Sequence, residues 1–176
     1  GAEGTGRYMP FKLSYFEGLN IDYVLAGHFH SKFDVWQLNN GGYFVYPGSP
    51  VSITKAETGQ RKANLFEVGN PPSEFLLDTF HFQEITLELD PLKDQNPLEI
   101  VQEHFEKLHP KATAILTIEG YINTEQLKMT ETDIVAQIKK ITKGRCVEEE
   151  NYKFKDISRI LENDLFKSFT NESREG

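Results

Sequence analysis

A single cysteine, Cys146, stands in 176 residues, so no disulfide can close within the chain. That scarcity fits a reducing compartment. No apolar run approaches the ~18 residues that a membrane-spanning helix needs. Gly1 to Gly6 has neither the basic start nor the apolar stretch of a secretory signal. These absences set the expectation of a cytoplasmic protein with no membrane association. Positive charge is also short. The net charge is −8, whereas a reader of duplex DNA commonly presents a basic face. Residues 1–70 balance six acids (Glu3, Glu17, Asp22, Asp34, Glu57, Glu67) against six bases (Arg7, Lys12, Lys32, Lys55, Arg61, Lys62). Of the 27 acids and 19 bases in all, 21 acids and 13 bases therefore lie in residues 71–176. The second half is not expected to clamp DNA by charge alone. Internal repeats and low-complexity tracts are missing too.

Hydrophobic residues make up 38% of the chain, enough for one core or two small ones. Composition shifts at Gly69-Asn70-Pro71-Pro72-Ser73, where two prolines beside Gly and Asn predict a linker. Before it the chain reads as β. Ile21 to Ala26 is a short apolar run suited to a strand buried on both faces. Phe33 to Leu38 and Tyr43 to Tyr46 flank Asn39-Asn40-Gly41-Gly42, which predicts a hairpin. Val51 to Thr54 and Ala63 to Val68 are further strand candidates, with Thr58-Gly59-Gln60 as the turn. The aromatics Phe33, Trp36, Tyr43 and Tyr46 read as core rather than as a base-stacking platform.

After the linker, Ile85, Leu87 and Leu89 alternate with polar residues, which predicts a half-buried strand. Asn96-Pro97-Leu98-Glu99 predicts a capped helix start, and Leu98, Val101, Phe105 and Leu108 follow at helical spacing. Ala114 to Ile122 is a second strand and Thr130 to Thr142 a second helix, stopped by Gly144. Residues 145–154 are a third strand candidate. Glu148 to Glu150 read as a solvated turn, and Ile157 to Phe169 as an amphipathic segment. The order β-α-β-α-β-α indicates a small α+β domain. The expected organisation is residues 1–70, 71–155 and 156–176.

The string that carries chemistry is Asp22-Tyr23-Val24-Leu25-Ala26-Gly27-His28-Phe29-His30. Two histidines emerge one residue apart from the C-terminal end of a strand, where ligand sites collect in α/β proteins. In extended backbone, alternate side chains point the same way. His28 and His30 would then aim both imidazoles at one point or at two neighbouring ones. Neutral imidazole suits Zn, Mn, Fe or Ni, and Gly27 lets the backbone turn sharply into the site. On the pair alone, two polar loop histidines remain an equal reading. A second string, Tyr46-Pro47-Gly48-Ser49, begins sixteen residues after His30. It predicts a strand ending in a turn beside the first loop.

The strings DYVLAGHFH and YPGSP, with a hairpin between them, resemble the calcineurin-like metallophosphoesterases. Within that superfamily they are most similar to the SbcD-type exonucleases of DNA double-strand-break repair. The resemblance covers roughly residues 7–68. It implies the C-terminal, β-rich part of a phosphoesterase β-sandwich, followed by a small α+β capping domain, so that the fold class is α/β to α+β. It also implies Mn2+ as cofactor, two ions per complete site, with His28 and His30 as metal ligands and catalytic residues. Gly27, Gly48 and Ser49 become site-adjacent, and Lys32 a candidate phosphate contact. The implied partners are DNA, an SbcC-type coiled-coil ATPase and a second copy of the full-length protein. The ATPase is one possible docking partner of residues 156–176; folding back on their own domain is the other. The family's earlier motifs, an Asp-x-His, a Gly-Asp and a Gly-Asn-His, do not occur in this sequence. The expectation is therefore a C-terminal portion without nuclease activity of its own, whose remaining ligands lie upstream. His81, His104 and His109 read as structural or surface histidines, and Arg7 and Lys12 as scattered surface charge. Two alternatives stay open: another calcineurin-like nucleotide phosphodiesterase, and a non-catalytic module that binds a partner or a DNA end.

Overall fold

The computed structural model describes residues 11–90, 93, 96–147 and 151–158. Arg7, Glu148 to Glu150 and nearly all of the amphipathic C-terminal segment lie outside the described residues. The fold is mixed α/β, with three small sheets and four short helices among the described residues. Contacts divide the chain into two units, with the boundary between Phe82 and Gln83.

In the first unit, a single helical turn α1 (Ser14–Glu17) precedes strands β1 (Tyr23–Leu25), β2 (Asp34–Gln37) and β3 (Tyr43–Tyr46). They form one sheet in the order β1-β3-β2. β3 runs parallel to β1, pairing Tyr23 with Tyr43 and Leu25 with Val45. It runs antiparallel to β2, pairing Asp34 with Tyr46. The turn Asn39–Gly42 closes the β2–β3 hairpin with Leu38 N–H donating to the Gly42 carbonyl at 2.8 Å. β3 is the central strand, which is why Phe44, Val45 and Tyr46 are all buried. Phe44 is 1% exposed, and the rings of Phe11, Phe16 and Trp36 lie 5.3 to 5.8 Å from its own. A buried ring of this kind contributes about 1.5–3 kcal/mol through burial alone. β1 departs from the two-sided burial expected of it: Leu25 is 58% exposed, because β1 holds an edge position in this sheet.

Strand β4 (Lys62–Leu65) pairs antiparallel with β5 (Ser73–Leu76). The segment Gly69–Ser73, expected to be a linker, is the loop of this hairpin. Tyr23 explains its order. The Tyr23 hydroxyl accepts from Gly69 N–H at 2.8 Å and donates to the Asn70 carbonyl at 2.8 Å, while its ring lies 4.5 Å from that of Phe66. The strand expected at Val51 to Thr54 does not form. Ile53 N–H donates instead to the Glu57 carboxylate, so a side chain takes the donor a neighbouring strand would need.

The second unit is built around strand β6 (His81–Leu89), helix α2 (Pro97–Lys107), strand β7 (Ala112–Ile122), helices α3 (Thr124–Leu127) and α4 (Glu131–Thr142), and strand β8 (Asn151–Asp156). The sheet order is β6-β7-β8, with β7 and β8 parallel. Alternate residues of β6 and β7 (Ile85, Leu87, Leu116, Ile118) pack against Val101 and Phe105 of α2 and Ile134 and Ile138 of α4. Both expected helix starts are present. Asn96 accepts from Leu98 N–H, and Thr130 with Asp133 makes a reciprocal capping box. Of the third strand expected over 145–154, the described part is Asn151–Asp156, and Cys146 makes an isolated bridge to Ala114. Gly120 sits at φ +101, where a Cβ would lie 2.2 Å from the Leu89 carbonyl oxygen.

Candidate metal centre

β1 ends at Leu25, and the chain then turns through Gly27 to His30. The turn is made at His28, whose φ of 83 places it in the left-handed region, and not at Gly27. That conformation is uncommon for a residue with a Cβ and collects at functional sites. It also means the segment is not extended at His28, so simple alternation does not set the direction of that ring. Phe29, between the histidines, turns edge-on to Tyr46 of β3 with ring centroids 5.0 Å apart. His28 and His30 are both exposed.

The Pro47–Ser49 bend lies beside this loop. Ser49 N–H donates to the His30 carbonyl at 3.2 Å. Gly48 holds φ +79, and a Cβ there would meet Arg61 Nη2 at 3.2 Å and the Lys32 carbonyl carbon and oxygen at 3.3 Å. The bend therefore requires glycine twice, for its backbone angle and for its space.

Two residues that the sequence presented only as counted charges join these loops. Arg61 is 3% exposed. Its guanidinium donates to the carbonyls of Ser49 at 3.0 Å, Ser31 at 3.3 Å and Glu57 at 3.4 Å, to Ser49 Oγ at 3.1 Å, and to the His30 carbonyl. A planar fork of five donors suits this task, and an ammonium does not. Glu57 is 5% exposed. Its Oε2 accepts from Ser49 Oγ at 2.7 Å and Ile53 N–H at 3.0 Å, and its Oε1 accepts from Thr54 Oγ1 at 3.2 Å. His30 Nδ1 faces Oε1 at 3.7 Å. Burial alone would raise the Glu57 pKa, but the Ile53 N–H, the Ser49 and Thr54 hydroxyls and the nearby imidazole outweigh it and hold the carboxyl below its usual range. Glu57 is thus a carboxylate at neutral pH. No motif flagged this pair, since one acid and one base four apart in a Thr- and Gly-containing loop look like ordinary solvated charge.

Lys32, the candidate phosphate contact, pairs with Asp34 at 3.3 Å and lines an open groove with Pro47, Gln60, Arg61 and Lys62. The other histidines have visible partners. His81 is buried with Nδ1 3.0 Å from the Thr79 carbonyl. His104 Nδ1 lies 2.9 Å from the Ile100 carbonyl one turn back. His109 Nδ1 accepts from Lys111 N–H at 3.2 Å.

Among the described residues, no three His, Cys, Asp or Glu side chains gather closely enough to hold a metal ion. The donor chemistry of the β1 loop fits two places of a larger ligand set: two exposed imidazoles, one of them backed by a buried carboxylate. No helix among the described residues is long and apolar enough to cross a membrane. Comparison with models of known protein families found no match, and neither did comparison with curated protein sequences.

Proposed function

We propose that this chain supplies the closing part of a calcineurin-like metallophosphoesterase of the SbcD exonuclease type, in which His28 and His30 ligate Mn2+ beside a scissile DNA phosphodiester. The observation that carries this reading is the joining of the His28–His30 loop to the Pro47–Ser49 bend, through the Ser49–His30 backbone hydrogen bond and the Arg61 fork, with both histidines left exposed.

When bound, a metal pair of this class polarises the phosphodiester and lowers the pKa of bound water. The chain's own residues hold the two imidazoles at the end of β1 and keep the bend against them through buried Arg61. Lys32 and Lys62 line the neighbouring groove, paired with Asp34 and Glu74, and would be the cations nearest an approaching phosphate backbone. The reading requires further, acidic ligands that the described residues do not provide. The 176-residue chain alone is therefore expected to lack nuclease activity.

The test is Mn2+-dependent cleavage of linear duplex DNA by a polypeptide joining this chain to a region that carries Asp-x-His and Gly-Asn-His motifs. His28→Ala and His30→Ala are each expected to lower the rate by at least about 100-fold, by comparison with the 10- to 100-fold typical of residues that only support ligands. Cleavage unaffected by both substitutions would refute the assignment. Mn2+-dependent cleavage by the 176-residue chain alone, abolished by His28→Ala, would instead defeat only the expectation that this chain by itself is inactive.

A further inference from the structure

We propose that Glu57 is the positioning residue that fixes the ring of His30, so that Nδ1 carries the proton and Nε2 is the nitrogen offered to metal. The inference rests on the metal-ligand reading of His30 and adds a residue to it that no sequence motif marked.

Glu57 is suited to this task because it is itself immobile. Three hydrogen bonds from three different residues occupy most of the lone-pair capacity of its carboxylate. It is buried, whereas the His30 side chain is 48% exposed. The carboxylate therefore defines the geometry and the ring adapts to it. Oε1, which accepts only from Thr54 among the bonds above, is the oxygen that His30 Nδ1 faces. The separation of 3.7 Å is longer than a hydrogen bond. Small rotations of a half-exposed ring close such a gap, and hydrogen bonds of this kind are commonly long until a site is filled.

An ionised carboxylate facing Nδ1 favours the tautomer protonated there. Nε2, on the opposite edge of the ring, is then left with its lone pair. A carboxylate–imidazole pair of this arrangement also raises the basicity of the liganding nitrogen. Ser49 gains a specific role as well. Its hydroxyl donates to Glu57 and accepts from Arg61, linking the Pro47–Ser49 bend to the orientation of His30.

Long-range 1H–15N correlation spectra of the histidine rings in the 176-residue chain, at about pH 8.5 where an ordinary imidazole is neutral, test the proposal directly. His30 is expected to be mainly Nδ1-protonated, and Glu57→Gln is expected to remove that majority. A predominantly Nε2-protonated His30 in the wild-type chain overturns the proposal, and this arm needs no variant to fold. A majority unchanged in a folded Glu57→Gln chain overturns it too. Adding Mn2+ to this chain joined to a region that carries the Asp-x-His and Gly-Asn-His motifs separates this proposal from the reading beneath it. Broadening of the His28 and His30 ring signals with no Glu57-dependent tautomer leaves the metal reading standing and removes Glu57 from it. A Glu57-dependent tautomer with no broadening at either ring removes the metal reading and leaves only the carboxylate–imidazole pair.

Discussion

His28 holds a left-handed backbone that costs a residue with a Cβ roughly 1–2 kcal/mol relative to glycine. His28→Gly is thus expected to be more stable than His28→Ala by about 1 kcal/mol, read as a higher denaturant midpoint. Equal midpoints would mean that the loop relaxes without cost. Gly48 is the converse case. Gly48→Ala combines a positive φ with contacts of 3.2–3.3 Å to Arg61 and to the Lys32 main chain, and about 1–2 kcal/mol of lost stability is expected. At Gly27, where φ is not positive and a Cβ meets nothing within 4 Å, Gly27→Ala is expected to be nearly neutral. Arg61 gives the largest effect of the loop residues. Arg61→Lys keeps the charge but loses the fork that reaches four carbonyls, at an expected cost of about 2–4 kcal/mol by urea denaturation.

At the scale of elements, the long pieces were readable because their signals are local. Asn96 announced α2 by cap chemistry, Thr130 to Thr142 with its Gly144 stop announced α4, Ile85 to Leu89 announced β6 by alternation, and Asn39 to Gly42 announced the β2–β3 turn. The short pieces were not. α1 and α3 have four residues each, too few for a period to show. β5 is exposed at all four positions and directly follows two prolines, so it carries no pattern. The site divides along the same line. The histidine pair and the Pro-Gly bend are legible as residue types next to one another. Glu57 and Arg61 are not, because their roles arise from contacts up to 31 residues away. Two elements owe their ends to single charged side chains. Arg145 donates to the carbonyls of Phe105, Leu108 and His109 at the end of α2, so Arg145→Ala is expected to cost about 2–3 kcal/mol. Asp156 anchors the start of α3. Burial would raise its pKa, but bonds from Thr124 and Ser158 hold it lowered to about 2. A lowered carboxyl contributes stability that is complete above the ordinary value of about 3.9 and disappears as the pH falls through the folded value. Acid titration of stability should therefore show a loss between about pH 4 and pH 2 that Asp156→Asn lacks. An unchanged acid limb in the variant would contradict this.

For the molecule as a whole, the sequence on either side of residue 70 differs in charge. Residues 1–70 are charge-balanced and hold the candidate ligands, while the acid surplus lies in residues 71–176. Under the proposed nuclease reading, contact with a phosphate backbone would fall to the first of these segments, near Lys32 and Lys62, which in this structure pair with Asp34 and Glu74. The central claim concerns His28 and His30 alone, and the chain contains its own controls in the other three of its five histidines. Titrating Mn2+ into this chain joined to a region that carries the Asp-x-His and Gly-Asn-His motifs, while following the ring C–H resonances of these five histidines, puts that claim to its most direct test. The account predicts that His28 and His30 broaden together at metal concentrations that leave His81, His104 and His109 sharp. Sharp signals from both, or equal broadening of all five, would contradict it.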